Sequence, residues 1–150
     1  MRQTPIQAMD TIHIQAPAGA VWRVLVDVGN YPRWWPRSLG VRLLSAGPGP
    51  VGCELEIRPS GGRPFRCRVE EVRDLESIRL RYYGGFIEGT GEWRIQPNGE
   101  QTQVTYALDV VARGWLVAAV GKIVNLAGVH SRLMKTVLQG LENVVRNQAQ

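Results

Sequence analysis

From Gly40 to Val111 the chain alternates apolar and polar residues with period two, the signature of strands that bury one face. Val51, Cys53, Leu55 and Ile57 fall on one side of VGCELEI, with Glu54 and Glu56 on the other. Phe65, Cys67 and Val69 oppose Arg66 and Arg68, and Ile78, Leu80 and Tyr82 repeat the theme. A strand over Phe86–Ile95 carries Trp93 inward, and the last strand sets Val104, Tyr106, Leu108 and Val110 against Thr105, Ala107 and Asp109. Gly47-Pro48-Gly49-Pro50, the stretch RPSGGRP and Pro97-Asn98-Gly99 are turns by their glycine and proline content. One-sided alternation joined by short links predicts an antiparallel meander with one solvated face.

The flanks read differently. Residues 1–8 carry no clear period and are expected to be a frayed lead-in, with the folded core spanning about 9–147. Ile12 and Ile14 then alternate with His13 in a first strand. Pro17 suits the first turn of a helix whose apolar positions are Val21, Trp22, Leu25 and Val28, stopped by Gly29-Asn30. YPRWWP is bracketed by prolines and holds only a short helical turn. From Trp115 to about Asn147 the period becomes 3.6: Leu116, Ala119, Ile123, Ala127, His130, Met134, Val137, Leu141 and Val145 share one stripe. One strand, two short helices, six strands and a long helix make one α+β domain over residues 1–150.

Composition adds limits rather than chemistry. The chain is 44% hydrophobic and 21% charged, enough for a filled core with a solvated outside. The net charge of +5 comes from 18 basic residues scattered along the chain with no run of three. That dispersal reads as compositional bias, and DNA is not an expected partner. Cys53 and Cys67 are too few for a disulfide scaffold and lie in no CxxC pair, so no metal site or cofactor is expected. No signal-peptide pattern or membrane-length apolar run occurs, and the expectation is a soluble cytoplasmic protein without stable membrane insertion.

The segments IQAPAGAVWRVLVDVGNYPRWWP, VGCELEI and GEWRIQPNGEQTQVTYALDV, in this element order, resemble the START-related superfamily. That superfamily includes polyketide cyclases, birch-pollen-allergen-like proteins and coenzyme Q-binding proteins. The resemblance runs from about Ile12 to Val145. It implies the helix-grip fold: a seven-stranded curled antiparallel sheet around the C-terminal helix, two short helices after strand 1, and a tunnel between sheet and helix. It implies no single activity, because one fold hosts carriers, cyclases, hydrolases and regulators.

Candidate ligand-binding residues are the inward-facing ones: Trp35, Cys53, Phe65, Tyr82, Trp93, Tyr106, Ile123, Ala127, His130 and Met134. His130 lies on the apolar stripe, as a cavity acid/base or donor, or as a core histidine satisfied by a backbone carbonyl or Tyr106. Tyr82, Trp93 and Tyr106 offer apolar bodies with polar tips, for orientation of a ligand or simply for packing. Trp34 and Trp35 fall where the superfamily places the cavity rim, one packing under the short helix and the other closing the mouth. Cys53 and Cys67 face inward on neighbouring strands as small hydrophobes or, less expectedly, a redox pair. Glu88 is outward unless a bulge at Gly89-Thr90-Gly91 turns it in. GxSxG, P-loop and GxGxxG motifs are missing, which weakens hydrolase and nucleotide readings. The leading expectation is binding or transport of a small hydrophobic molecule such as a lipid, isoprenoid quinone or polyketide. The alternative is a polyketide cyclase/aromatase with His130 and Tyr106 as catalytic candidates. A regulator binding RNA or the ribosome rests only on the net charge.

Overall fold

Seven antiparallel strands form one sheet in the order β1-β7-β6-β5-β4-β3-β2. The structure, a computed structural model, describes residues 3–59, 63–113 and 126–148, without the side chains of residues 3, 4, 113 and 126–130. The strands are β1 (Gln3–Ile14), β2 (Leu39–Ser45), β3 (Glu54–Pro59), β4 (Phe65–Arg73), β5 (Ser77–Tyr83), β6 (Ile87–Asn98) and β7 (Gln101–Arg113). Helix α1 (Ala18–Val26), a 3-10 turn (Val28–Asn30) and helix α2 (Tyr31–Trp34) link β1 to β2, and helix α3 (Leu126–Gln148) ends the chain. The α+β helix-grip architecture is therefore present, with strands β2 to β7 following one another as a meander.

The alternation read from the sequence becomes the two faces of this sheet. Leu55, Ile57, Phe65, Cys67, Val69, Ile78, Leu80, Tyr82, Trp93, Ile95, Val104, Tyr106, Leu108 and Val110 are buried on the inner face. The outer face carries cross-strand ion pairs such as Arg81 with Glu70 at 2.7 Å and Arg42 with Glu56 at 3.3 Å. Their arginines are exposed to solvent, and each pair adds only about 0–1 kcal/mol. The stability lies inside, where burying one large apolar side chain contributes about 1.5–3 kcal/mol. Helix α3 buries Met134, Val137, Leu138, Leu141 and Val145, and it packs against β1, α1 and α2. At the α2 crossing Gly140 is required by space: a Cβ there would sit 2.5 Å from the Trp34 carbonyl oxygen.

Three expectations are corrected. Of the expected frayed lead-in at residues 1–8, the described part is not frayed, because Gln3–Ala8 pair with Leu108–Arg113 and Ile6 is buried. The pattern is hidden by Pro5, which is tolerated because β1 is an edge strand. Val51 does not face inward: it is 51% exposed in the turn before β3, where Gly52 has φ +92°. Pro17 caps α1 from outside rather than occupying its first turn. The part of the expected C-terminal helix before Leu126, including Ile123, lies outside the described residues.

Candidate ligand cavity

The inner face of the sheet is not uniformly filled. Helix α1 packs over β6 and β7, and Trp93 is fully buried. Elsewhere a cavity of about 200 Å³ remains. Its walls come from β1 (Ile6), the α2–β2 link (Trp35 and Leu39), β3 (Ile57 and Pro59), β4 (Phe65), β5 (Tyr82), β6 and its entry (Phe86 and Ile87), β7 (Tyr106, Leu108, Val110 and Ala112) and α3 (Leu133 and Met134). No charged residue is among these wall residues.

Glycines at inward positions of β6 shape the space. Gly89 lies opposite Tyr82 and Val110, with φ +147°, and a Cβ there would meet Val110 Cα at 2.6 Å. Gly91 lies beside Tyr106, whose hydroxyl occupies the place a Gly91 Cβ would take, with Tyr82 Cε2 only 2.8 Å from the same point. The missing side chain lets the Tyr82 and Tyr106 hydroxyls meet and hydrogen-bond to each other. Tyr106 also packs edge-on against Trp93, centroids 4.7 Å apart.

Burial sets the electrostatics. Desolvation pushes the Tyr82 hydroxyl well above the usual tyrosine range, with the nearby Cys67 sulfur adding to it and the Tyr106 hydrogen bond working the other way. Tyr106 is raised by desolvation and then by Tyr82. The Cys67 thiol is pushed up to about 12 by desolvation alone. Burial thus favours the protonated form of each group at neutral pH, in which the tyrosines can donate hydrogen bonds and the Cys67 thiol is a poor nucleophile. Nearby, the buried Tyr31 donates to the Leu25 carbonyl at 2.5 Å. Its ring stacks on Trp35 at 5.7 Å and meets Trp34 edge-on at 5.0 Å.

Of the sequence candidates, Trp35, Phe65, Tyr82, Tyr106 and Met134 come together in this wall. Cys53 and Trp93 are buried but do not line it. Cys53 donates its thiol hydrogen to the Gly49 carbonyl at 3.4 Å, at the edge of the turn. Cys67 stands opposite Leu55, and Cys53 bonds through its backbone to Val69, so the two cysteines are diagonal rather than facing. Both are free. Glu88 stays on the outward parity, since β6 pairs with β7 without a register shift through Gly89-Thr90-Gly91. Trp34 packs at the α2–α3 crossing while Trp35 reaches the cavity. The side chains of Ala127 and His130 lie outside the described residues, as does Ile123 altogether. Sequence reasoning missed Ile6, Leu39, Pro59, Phe86, Ile87, Ala112 and Leu133 as wall residues. Ile57, Leu108 and Val110 carried the inward parity that would have found them.

Residues 5–146 match the family model described as polyketide cyclase / dehydrase and lipid transport. The chain belongs to this family. Among curated proteins none matches in sequence. Solved structures share the family's fold over nearly the whole chain. The aromatase/cyclase Zhui from Streptomyces sp. R1128 matches with a TM-score of 0.76 at 21% identity, covering 99% of this chain and 97% of its own. A norcoclaurine synthase from Thalictrum flavum matches at 0.75 and 13% identity, covering 100% and 99%. A START superfamily protein from Mycobacterium smegmatis matches at 0.71 and 19% identity, covering 95% and 98%. At these identities the likeness concerns the fold. Among the described residues no helix is long and apolar enough to cross a membrane.

Proposed function

We propose that the protein binds a small hydrophobic molecule in the cavity between its sheet and α3, as a carrier or sensor rather than as a catalyst. The observation behind this is the wall itself: about 200 Å³ bounded, among the described residues, by apolar side chains and two tyrosine hydroxyls bonded to each other. A concave apolar site with few polar groups is the usual form of a small-molecule site. Affinity then comes from burying apolar ligand surface.

The second reading, an aromatase/cyclase, is favoured by the family description and by the likeness to the Streptomyces aromatase/cyclase. Such chemistry needs a group that can take and return protons near neutral pH. The described wall offers only tyrosines held protonated by burial, and His130 is the residue on which this reading depends.

Native mass spectrometry of the purified protein, followed by solvent extraction, separates the readings. One equivalent of an apolar molecule, released unchanged and exchangeable for added apolar compounds, supports the carrier. Conversion of an added poly-β-ketone chain, abolished by His130→Ala in a folded variant, would replace it with the cyclase.

A further inference from the structure

The walls restrict the occupant beyond hydrophobicity, and the following rests on the cavity being the binding site. A cavity of about 150 Å³ closes around one benzene ring. The 200 Å³ here matches a compact one- or two-ring molecule of about ten heavy atoms better than an extended acyl chain. Phe65 joins two other rings of the wall: its own lies 5.8 Å from Tyr82 and 6.1 Å from Phe86, tilted to one and edge-on to the other. Trp35 faces the same cavity from the α2–β2 link. Rings that meet at such angles continue their packing best with another ring, edge to face. Among the described residues the wall offers no counter-ion, so a formal charge would enter at a large desolvation cost.

We infer that the cavity selects a compact, uncharged, planar aromatic molecule, and that Phe65 is its specificity-determining residue. Long-chain lipids are disfavoured by size and aromatic carboxylates by charge.

Trp35 makes occupancy measurable through tryptophan fluorescence, with calorimetry as a second readout. The probes are naphthalene, decalin (the same ten carbons without π electrons), 1-naphthoate and palmitate. Naphthalene is expected to bind one-to-one and at least tenfold tighter than 1-naphthoate, with palmitate weaker than both. The naphthalene-to-decalin affinity ratio should fall about fivefold in Phe65→Leu. Comparing that ratio between variant and wild type cancels the different hydrophobicities of the two hydrocarbons. Phe86→Leu provides a second variant at a half-buried position if Phe65→Leu does not fold, and the naphthoate and palmitate comparisons need no variant. Palmitate binding tightest would overturn the compact class while leaving a ligand cavity. Equal affinity for naphthalene and naphthoate, or an unchanged ratio in folded Phe65→Leu and Phe86→Leu, would overturn the selectivity in the same way. No saturable binding of any probe would remove the cavity reading together with this one.

Discussion

Replacing Gly91 by alanine tests whether the tyrosine pair is held as tightly as its surroundings imply. In an ordinary strand interior, Gly→Ala is favourable by about 0.5–1 kcal/mol through reduced backbone entropy. Here the new Cβ would overlap the Tyr106 hydroxyl and lie 2.8 Å from Tyr82 Cε2 and 2.9 Å from Tyr106 Cζ. Neither ring can swing away freely, since Tyr106 is 2% exposed, packs on Trp93 and is bonded to Tyr82. Overpacking of this kind costs about 1–3 kcal/mol, and a buried hydrogen bond broken by the shift costs about 1 more. After subtracting the entropic gain, Gly91→Ala should destabilise by about 1–3 kcal/mol. Urea denaturation followed by circular dichroism should show a lower midpoint at unchanged slope. Adding Tyr106→Phe removes the overlapping oxygen, so the double variant should be about 1–2 kcal/mol more stable than the two single effects summed. A Gly91→Ala protein as stable as wild type, or strict additivity in the double variant, would refute a rigid pair packed over this glycine.

Other outcomes follow from single features. Cys67 is raised from its ordinary 9.0 to about 12 by burial, so between those values the unfolded chain releases a proton that the native state keeps. Its stabilising contribution is complete below pH 9 and declines as pH rises toward 12, by about 1.4 kcal/mol per pH unit. Cys67→Ala should flatten the wild-type decline between pH 9 and 10 in urea melts, and parallel curves would contradict the assignment. Leu75 sits in the turn after β4 with φ +58° and is 45% exposed. Leu75→Gly should therefore raise stability by up to about 1 kcal/mol, and a lower melting temperature would show that its contacts outweigh the strain. Deleting residues 1–8 removes the β1 pairing from Gln3 to Ala8 and the buried Ile6. It should cost at least about 2 kcal/mol and weaken naphthalene binding; an unchanged melting temperature would restore the view of a frayed lead-in.

Most of the architecture was legible because it is local. Period-two alternation in β3, β4, β5 and β7 reports which face of a strand is buried, and one turn of α3 after another repeats its apolar stripe. The family resemblance added the curl of the sheet around the helix, which no local pattern encodes. The first half of β1 was illegible for a physical reason. Pro5 and the glutamines around Ile6 conceal a strand whose partner, β7, lies about a hundred residues away.

The candidate site divides along the same line. Inward parity named Cys53, Phe65, Tyr82, Trp93 and Tyr106 equally, since parity states a face and nothing about what covers it. Trp93 became core, with α1 packed over its strand, and Cys53 ended against the Gly49 turn, while Phe65, Tyr82 and Tyr106 came to line open space. The faces of the strands, the apolar stripe of α3 and the apolar character of whatever lies between them follow from local residue order. Where that interior stays unfilled does not follow from it. That depends on register across β5, β6 and β7, which sets Tyr82 and Tyr106 over the missing side chain of Gly91. Register is a relation between distant segments, and packing is settled only when those segments meet.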